Sequence, residues 1–162
     1  MGFRGFWTVR ELLKKEHLST ILRSEALDKC GVYVVVCPTS YKPEFIDPSE
    51  ACVTGNMVKP KPVEELQLRW VPGMEVLYIG KTKRPLKKRI GELIRHSQGW
   101  SKIHQGGEVL WQLRGYEVFE IGYLPRDEPK EEESRLIHQF KSKTFKLPFA
   151  NRQKPRARGI LG

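Results

Sequence analysis

The sequence predicts a small α+β domain, and two observations support this fold class. Three short segments, at 30–37, 74–80 and 116–123, are rich in β-branched and aromatic residues and have the composition of strands. Charged segments with apolar residues at helical spacing lie irregularly between and around these strands. The length of 162 residues suits a single domain, which we assign to residues 1–162.

The first predicted element is an N-terminal helix over residues 8–26. Thr8 and Glu11 have the spacing of a capping box, in which the Thr8 hydroxyl accepts an amide N–H of the first turn and the Glu11 carboxylate reaches back. Leucine and isoleucine residues further along then supply an apolar side. The buried strand at 30–37 follows, and Pro38 ends it.

A proline-rich insert follows at 38–73. It contains six prolines and, apart from a short helix predicted at 62–70, no long periodic segment. After the second strand, apolar residues at helical spacing predict a helix at 85–96. A last helix is predicted at 130–144, and residues 152–162 have the composition of a basic tail.

The positive charge is confined to two segments. The net charge is +10, and residues 81–102 and 141–158 together carry more positive charge than that, so the rest of the chain is acidic on balance. Such a footprint favours a polyanion-binding face, and nucleic acid over an anionic membrane, with a solvated surface as the alternative. The candidate nucleic-acid-binding residues are Lys83, Arg84, Lys87, Lys88, Arg95, His96, Lys102, His104, Lys141, Lys143, Arg152 and Lys154.

No segment approaches the about 20 apolar residues of a membrane span, and the N-terminal residues lack the pattern of a secretory signal. Cys30, Cys37 and Cys52 are an odd number at wide spacing, which predicts neither a disulfide framework nor a zinc site. We therefore predict a soluble, cytoplasmic protein without a membrane partner.

Two short strings lie in the first two predicted strands, Gly-Val-Tyr at 31–33 and Tyr-Ile-Gly at 78–80. Four polar residues, Lys81, Arg89, Glu133 and Asn151, follow at intervals along the chain. In this order the chain resembles the GIY-YIG nuclease family, and the strings Trp-Val-Pro-Gly and Pro-Phe-Ala-Asn are similar to those of stand-alone bacterial members with a long insert. The matching side chains are Tyr33, Tyr78, Lys81, Arg89, Glu133 and Asn151.

The resemblance implies a three-stranded antiparallel sheet flanked by helices and a metal-dependent cut in a nucleic-acid phosphodiester. It implies that Glu133 holds Mg²⁺ or Mn²⁺ and that Tyr33 is the provisional general base, with Tyr78 in the same pocket. Lys81 and Arg89 would stabilise charge on the phosphate, and Asn151 would close the motif. The chain departs from the family in one respect, because 44 residues (34–77) separate Tyr33 from Tyr78, where a short hairpin is usual.

Helical geometry independently sets Glu133 apart from its neighbours. At 100° per residue, Glu133 lies close to the centre of the apolar stripe of the last helix, whereas Glu131 lies almost opposite. A carboxylate on a buried face needs a partner. That partner is either a metal, since Mg²⁺ is often held by one or two carboxylates with phosphate and water, or an arginine in a structural ion pair.

We therefore predict a metal-dependent endonuclease acting on DNA, with RNA also possible. The alternative is a non-catalytic DNA- or RNA-binding module on the same fold, and a restriction-type role would require a homodimer. We expect the insert to fold beside the active face, so that deleting residues 41–60 changes substrate preference more than stability.

Overall fold

The computed structural model describes residues 2–21, 23–51, 60–98 and 107–152. Four strands form one antiparallel sheet in the order β1-β4-β2-β3. Helices flank this sheet, which confirms the α+β class, whereas the expectation of three strands is wrong by one. The strands are β1 (Arg4–Thr8), β2 (Gly31–Val36), β3 (Val76–Thr82) and β4 (Glu120–Pro125).

The additional strand, β1, pairs with β4 along one edge of the sheet. Its register shifts between Gly5 and Trp7, and Phe6 has a positive φ of 56°. This bulge places consecutive residues out of strict alternation. The period-two pattern that identifies a strand in a sequence is therefore absent from this segment.

Six α-helices and three short 3₁₀ turns complete the described part of the chain. The predicted helices at 62–70, 85–96 and 130–144 are confirmed to within about two residues, which is the usual uncertainty of helix ends. The helices are α1 (Val9–Leu13), α2 (Lys15–Ile21), α3 (Pro48–Ala51), α4 (Val63–Arg69), α5 (Leu86–Ser97) and α6 (Pro129–Thr144).

The prediction of one continuous N-terminal helix is wrong, although the predicted start of that helix is confirmed. The capping box at Thr8 and Glu11 is present, with Glu11 N donating to Thr8 Oγ1 at 3.0 Å. The helix breaks at Lys14, which is extended (φ −77°, ψ 115°). On an unbroken helix Ile21 would lie opposite Leu12, whereas the break lets both side chains pack on the core.

The third predicted strand, at 116–123, is displaced toward the C-terminus. Its first residues form a 3₁₀ turn (Tyr116–Val118) after Gly115, which has a φ of 79°, and the strand runs over Glu120–Pro125. Glycine at a positive φ starts a turn rather than a strand.

The insert packs against the core. The ring of Tyr41 lies edge-on against Phe119, with centroids 5.0 Å apart, and Phe45 stacks on Phe149 at 6.0 Å. Leu66 of α4 is completely buried. Deleting residues 41–60 would remove the ring contacts of Tyr41 and Phe45 with the core, so we now expect a loss of stability besides any change in substrate preference.

Candidate active site and nucleic-acid surface

The two motif tyrosines meet on one face of the sheet. Despite the insert, β2 and β3 are neighbours, with Tyr33 opposite Gly80 and Val35 opposite Tyr78. The tyrosine rings are therefore diagonal neighbours, with centroids 5.9 Å apart. A Cβ atom at Gly80 would lie 2.4 Å from Tyr33 Cζ, so only glycine leaves room for this ring.

Arg89 of α5 connects the tyrosines to an ion-pair network. Its Nε donates to Tyr33 Oη at 3.0 Å, and its Nη1 donates to Glu92 at 3.3 Å. Glu92 also accepts two hydrogen bonds from Arg84, at 2.8 and 2.7 Å. The two arginines, Arg84 foremost, lower the pKa of Glu92 to about 2. Sequence reasoning missed Glu92, although it is the sole acidic residue of its basic segment and lies one turn after Arg89.

Burial controls the ionisation of both tyrosines. It raises the pKa of Tyr33, and the nearby Arg89 guanidinium and hydrogen bonds from Tyr78 and Arg89 oppose this only in part. Burial also raises the pKa of Tyr78 well above its ordinary value. To act as a general base, Tyr33 would therefore need a nearby cation, such as Lys81 or a bound metal ion, to lower its pKa.

Glu133 faces the sheet from α6. Its Oε1 accepts a hydrogen bond from Lys81 Nζ at 3.2 Å, and its side chain is 18% exposed. This carboxylate therefore pairs with a lysine of β3. The structural ion pair considered from the sequence involved an arginine instead. The neighbouring Glu132 is also sheltered, with its side chain 12% exposed, and it pairs with Arg126 and Arg135.

Asn151 fastens the segment after α6 to the edge strand. Its Oδ1 accepts from Ile79 N and its Nδ2 donates to Ile79 O, both at 2.9 Å. Ala150 N donates to Leu77 O at 2.8 Å. The side-chain amide therefore acts as one more residue of a strand beside β3, and it fixes the strand that carries Tyr78 and Lys81.

A cavity of about 530 Å³ opens beside these residues. Three of the six motif residues line it, and the other three, Tyr33, Lys81 and Arg89, do not. Sequence reasoning missed His138, which lies on the same side of α6 one turn after Ser134. The lining polar residues are Tyr78, Glu133, Ser134, His138, Lys141, Asn151 and Arg152.

The donor set fits a divalent cation that is shared with substrate. Within the described ranges, no group of three or more His, Cys, Asp or Glu side chains could hold a metal alone. Glu133 presents a partly exposed carboxylate to a polar cavity. One carboxylate is sufficient where phosphate oxygens and water complete the coordination of Mg²⁺.

The candidate nucleic-acid-binding residues have different environments. Lys83, Lys88, Arg95, Lys141, Lys143 and Arg152 are exposed, whereas Arg84 and Lys87 are in ion pairs with Glu92 and Asp28. His96 is only 1% exposed, and its Nδ1 accepts from Trp111 Nε1 at 3.2 Å, so it belongs to the core and not to the basic face. Lys102, His104 and Lys154 lie outside the described residues.

The chain matches no protein-family model, no curated protein and no solved structure. The likeness to GIY-YIG nucleases therefore rests on the sequence motifs alone. Each helix in the described ranges is too short or too polar to cross a bilayer.

Proposed function

We propose that this chain is a metal-dependent endonuclease of the GIY-YIG type that hydrolyses phosphodiester bonds in DNA. One observation carries the proposal. The hydrogen-bonded set of Tyr33, Tyr78 and Arg89 adjoins the Lys81–Glu133 pair, since Tyr78 and Glu133 line the same cavity. A tyrosine that could act as a base, cations that could stabilise phosphate charge and a carboxylate that could hold one metal ion together can support phosphodiester hydrolysis.

Glu133 would hold Mg²⁺ or Mn²⁺ together with the scissile phosphate, and the bound cation supplies Lewis-acid polarisation of that phosphate. Lys81 pairs with Glu133 in the structure. When substrate and metal bind, Lys81 would pair with the phosphate instead. Arg89 presents a planar set of donors that suits charge developing on the non-bridging oxygens.

The buried tyrosines suggest how a proton leaves the attacking water. Tyr78 lines the cavity and is hydrogen-bonded to Tyr33, which also accepts from Arg89. In our proposal Tyr78 takes a proton from water and passes its own proton to the Tyr33 phenolate. Tyr33 thus remains the base, and Tyr78 relays the proton from the cavity.

The test is an assay of DNA cleavage with purified protein and Mg²⁺ or Mn²⁺ at low salt, with a chelator in parallel. Glu133→Gln keeps the size of the side chain and removes its charge, so we expect a loss of at least about 100-fold in rate. Glu131→Gln, an exposed change on the same helix, is the matched control and should cut normally. Equal cutting by the Glu133→Gln variant would contradict the proposal.

A non-catalytic DNA- or RNA-binding module is the second candidate. The raised pKa values of both tyrosines favour it, because a phenol that stays protonated is a poor base. Tight, salt-sensitive binding of DNA or stem-loop RNA without cleavage in either metal would select this function.

A further inference from the structure

Phe145 ends α6 in a conformation that favours glycine. It has a φ of 63° and a ψ of 15°, the left-handed region in which most helix-terminating residues are glycine. Its side chain is 89% exposed. An exposed phenylalanine in this conformation gains little from burial and costs backbone strain, so neither packing nor helix termination explains it.

The turn that carries Phe145 is held firmly. Phe145 N donates to Lys141 O at 2.8 Å. Beyond the turn, Lys146 Nζ donates to the carbonyl oxygens of Leu68 and Trp70 at 3.0 and 3.1 Å. These bonds tie the end of α6 to the end of α4 and hold the phenylalanine ring out into solvent.

A second cavity, of about 450 Å³, lies beside this ring and is lined by Leu68, Lys141, Phe145, Lys146 and Leu147 among others. Lys141 and Leu147 also line the candidate active site, so the two cavities adjoin. Phe145 lies twelve positions after Glu133, which is about 18 Å along a helix axis; this distance corresponds to roughly five nucleotides at duplex spacing and to fewer on an extended, unpaired strand.

We propose that Phe145 is a stacking platform for an unpaired base of the DNA strand, within about five nucleotides of the phosphate at Glu133. This inference rests on the proposed function and names the substrate feature that it would recognise: a single-stranded or unpaired region beside the cut. Charge complementarity and continuity with the active site favour a nucleic acid, because Lys141 and Lys146 line the cavity beside the ring, and its carboxylate, Glu65, is already paired with Arg69. A rigid aromatic between cations is the usual platform for an unstacked base.

The test measures binding in the Glu133→Gln background, so that it does not depend on cleavage. Two DNAs of equal length are compared, a fully paired duplex and a fork with 2-aminopurine placed along its unpaired arm. We expect Phe145→Ala to weaken binding of the fork about tenfold and to abolish quenching of one 2-aminopurine position, with little change for the duplex. The salt dependence should not change, since no charge is removed. Phe145→Trp should restore both signals.

Stability distinguishes this role from a structural one. Phe145→Gly relieves the left-handed strain, so it should raise the melting temperature by about 2–4 °C while it weakens fork binding. Val118→Ala shortens a partly exposed apolar side chain elsewhere and should leave fork binding unchanged. A structural Phe145 would instead lose stability in both the alanine and the glycine variants.

Fork binding that is unchanged in Phe145→Ala overturns this inference alone. Failure of the Glu133→Gln protein to bind any DNA overturns the proposed function as well. A protein that dimerises in solution, becomes monomeric with Phe145→Asp and binds forks equally well in both states would assign the surface to a second copy of the chain.

Discussion

The two basic segments, residues 81–102 and 141–158, carry the same net charge. Their lysine and arginine side chains nevertheless have different partners in the structure. Within the described part of the first, residues 81–98, four of the seven cations are in ion pairs, namely Lys81, Arg84, Lys87 and Arg89. Within the described part of the second, residues 141–152, no lysine or arginine lies within ion-pair distance of a described carboxylate.

The difference shows that the charge of a segment does not by itself locate a binding surface. The first segment lies beside Asp28, Glu92 and Glu133, so much of its charge organises the candidate site. The second comprises the last turn of α6 and the chain that follows it, and its Lys141 and Arg152 line the candidate active-site cavity. We expect the first segment to supply chemistry and stability and the second to supply most of the attraction for phosphate.

The largest effect on DNA binding should come from neutralising two cations of the second segment. Neutralising two cations of the first segment provides the comparison. Lys141→Gln with Arg152→Gln should weaken DNA binding roughly 10- to 100-fold at low salt and reduce the salt slope by about 2, because we expect each side chain to contact one phosphate. Arg84→Gln with Lys87→Gln removes the same charge from ion pairs and should change the slope much less. Binding isotherms across a salt series check both, and equal slopes for the two double variants would remove the distinction.

A second prediction concerns the buried tyrosine pair, against which the first segment packs. The raised pKa of Tyr33 leaves little phenolate at neutral pH, and that fraction grows tenfold per pH unit below the pKa. If Tyr33 is the base, single-turnover cleavage should therefore rise about tenfold per unit between roughly pH 7 and 9. Substituting Tyr33 with Phe should flatten that profile as well as slow the reaction, and a flat profile for the unaltered protein would exclude this base.

The smallest effect should be on stability. Glu92 joins Arg84 and Arg89 and is sheltered, with its side chain 12% exposed. Glu92→Gln should lower the free energy of unfolding by about 1–2 kcal/mol. The pKa of Glu92 falls from 4.5 to about 2 on folding, so its contribution is complete above about pH 4.5 and is lost as the pH falls toward 2.

Urea unfolding at several pH values measures this contribution. The unaltered protein and the Glu92→Gln variant should converge in stability as the pH falls through that window. Glu64→Gln, on an exposed position of α4, is the control and should match the unaltered protein throughout.

Strong local patterns made much of the fold predictable from the sequence. Strands β2 and β3 have dense β-branched or apolar runs, and α5 and α6 have apolar stripes with proline near their starts. The bulged strand β1 and the break at Lys14 were missed because tertiary packing overrides local pattern there. The same reason applies to the site, where Glu92 and His138 acquire their partners and surroundings only through the fold.

The hydrogen bonds between the Asn151 side chain and the backbone of β3 also affect how the protein behaves at high concentration. Strand β3 lies at the end of the sheet, where free N–H and C=O groups would form a template for strands of other molecules. Ala150 and Asn151 occupy those groups on Leu77 and Ile79. The segment that positions the candidate active site thus also blocks edge-to-edge association, so damage to it would favour aggregation before it unfolds the core.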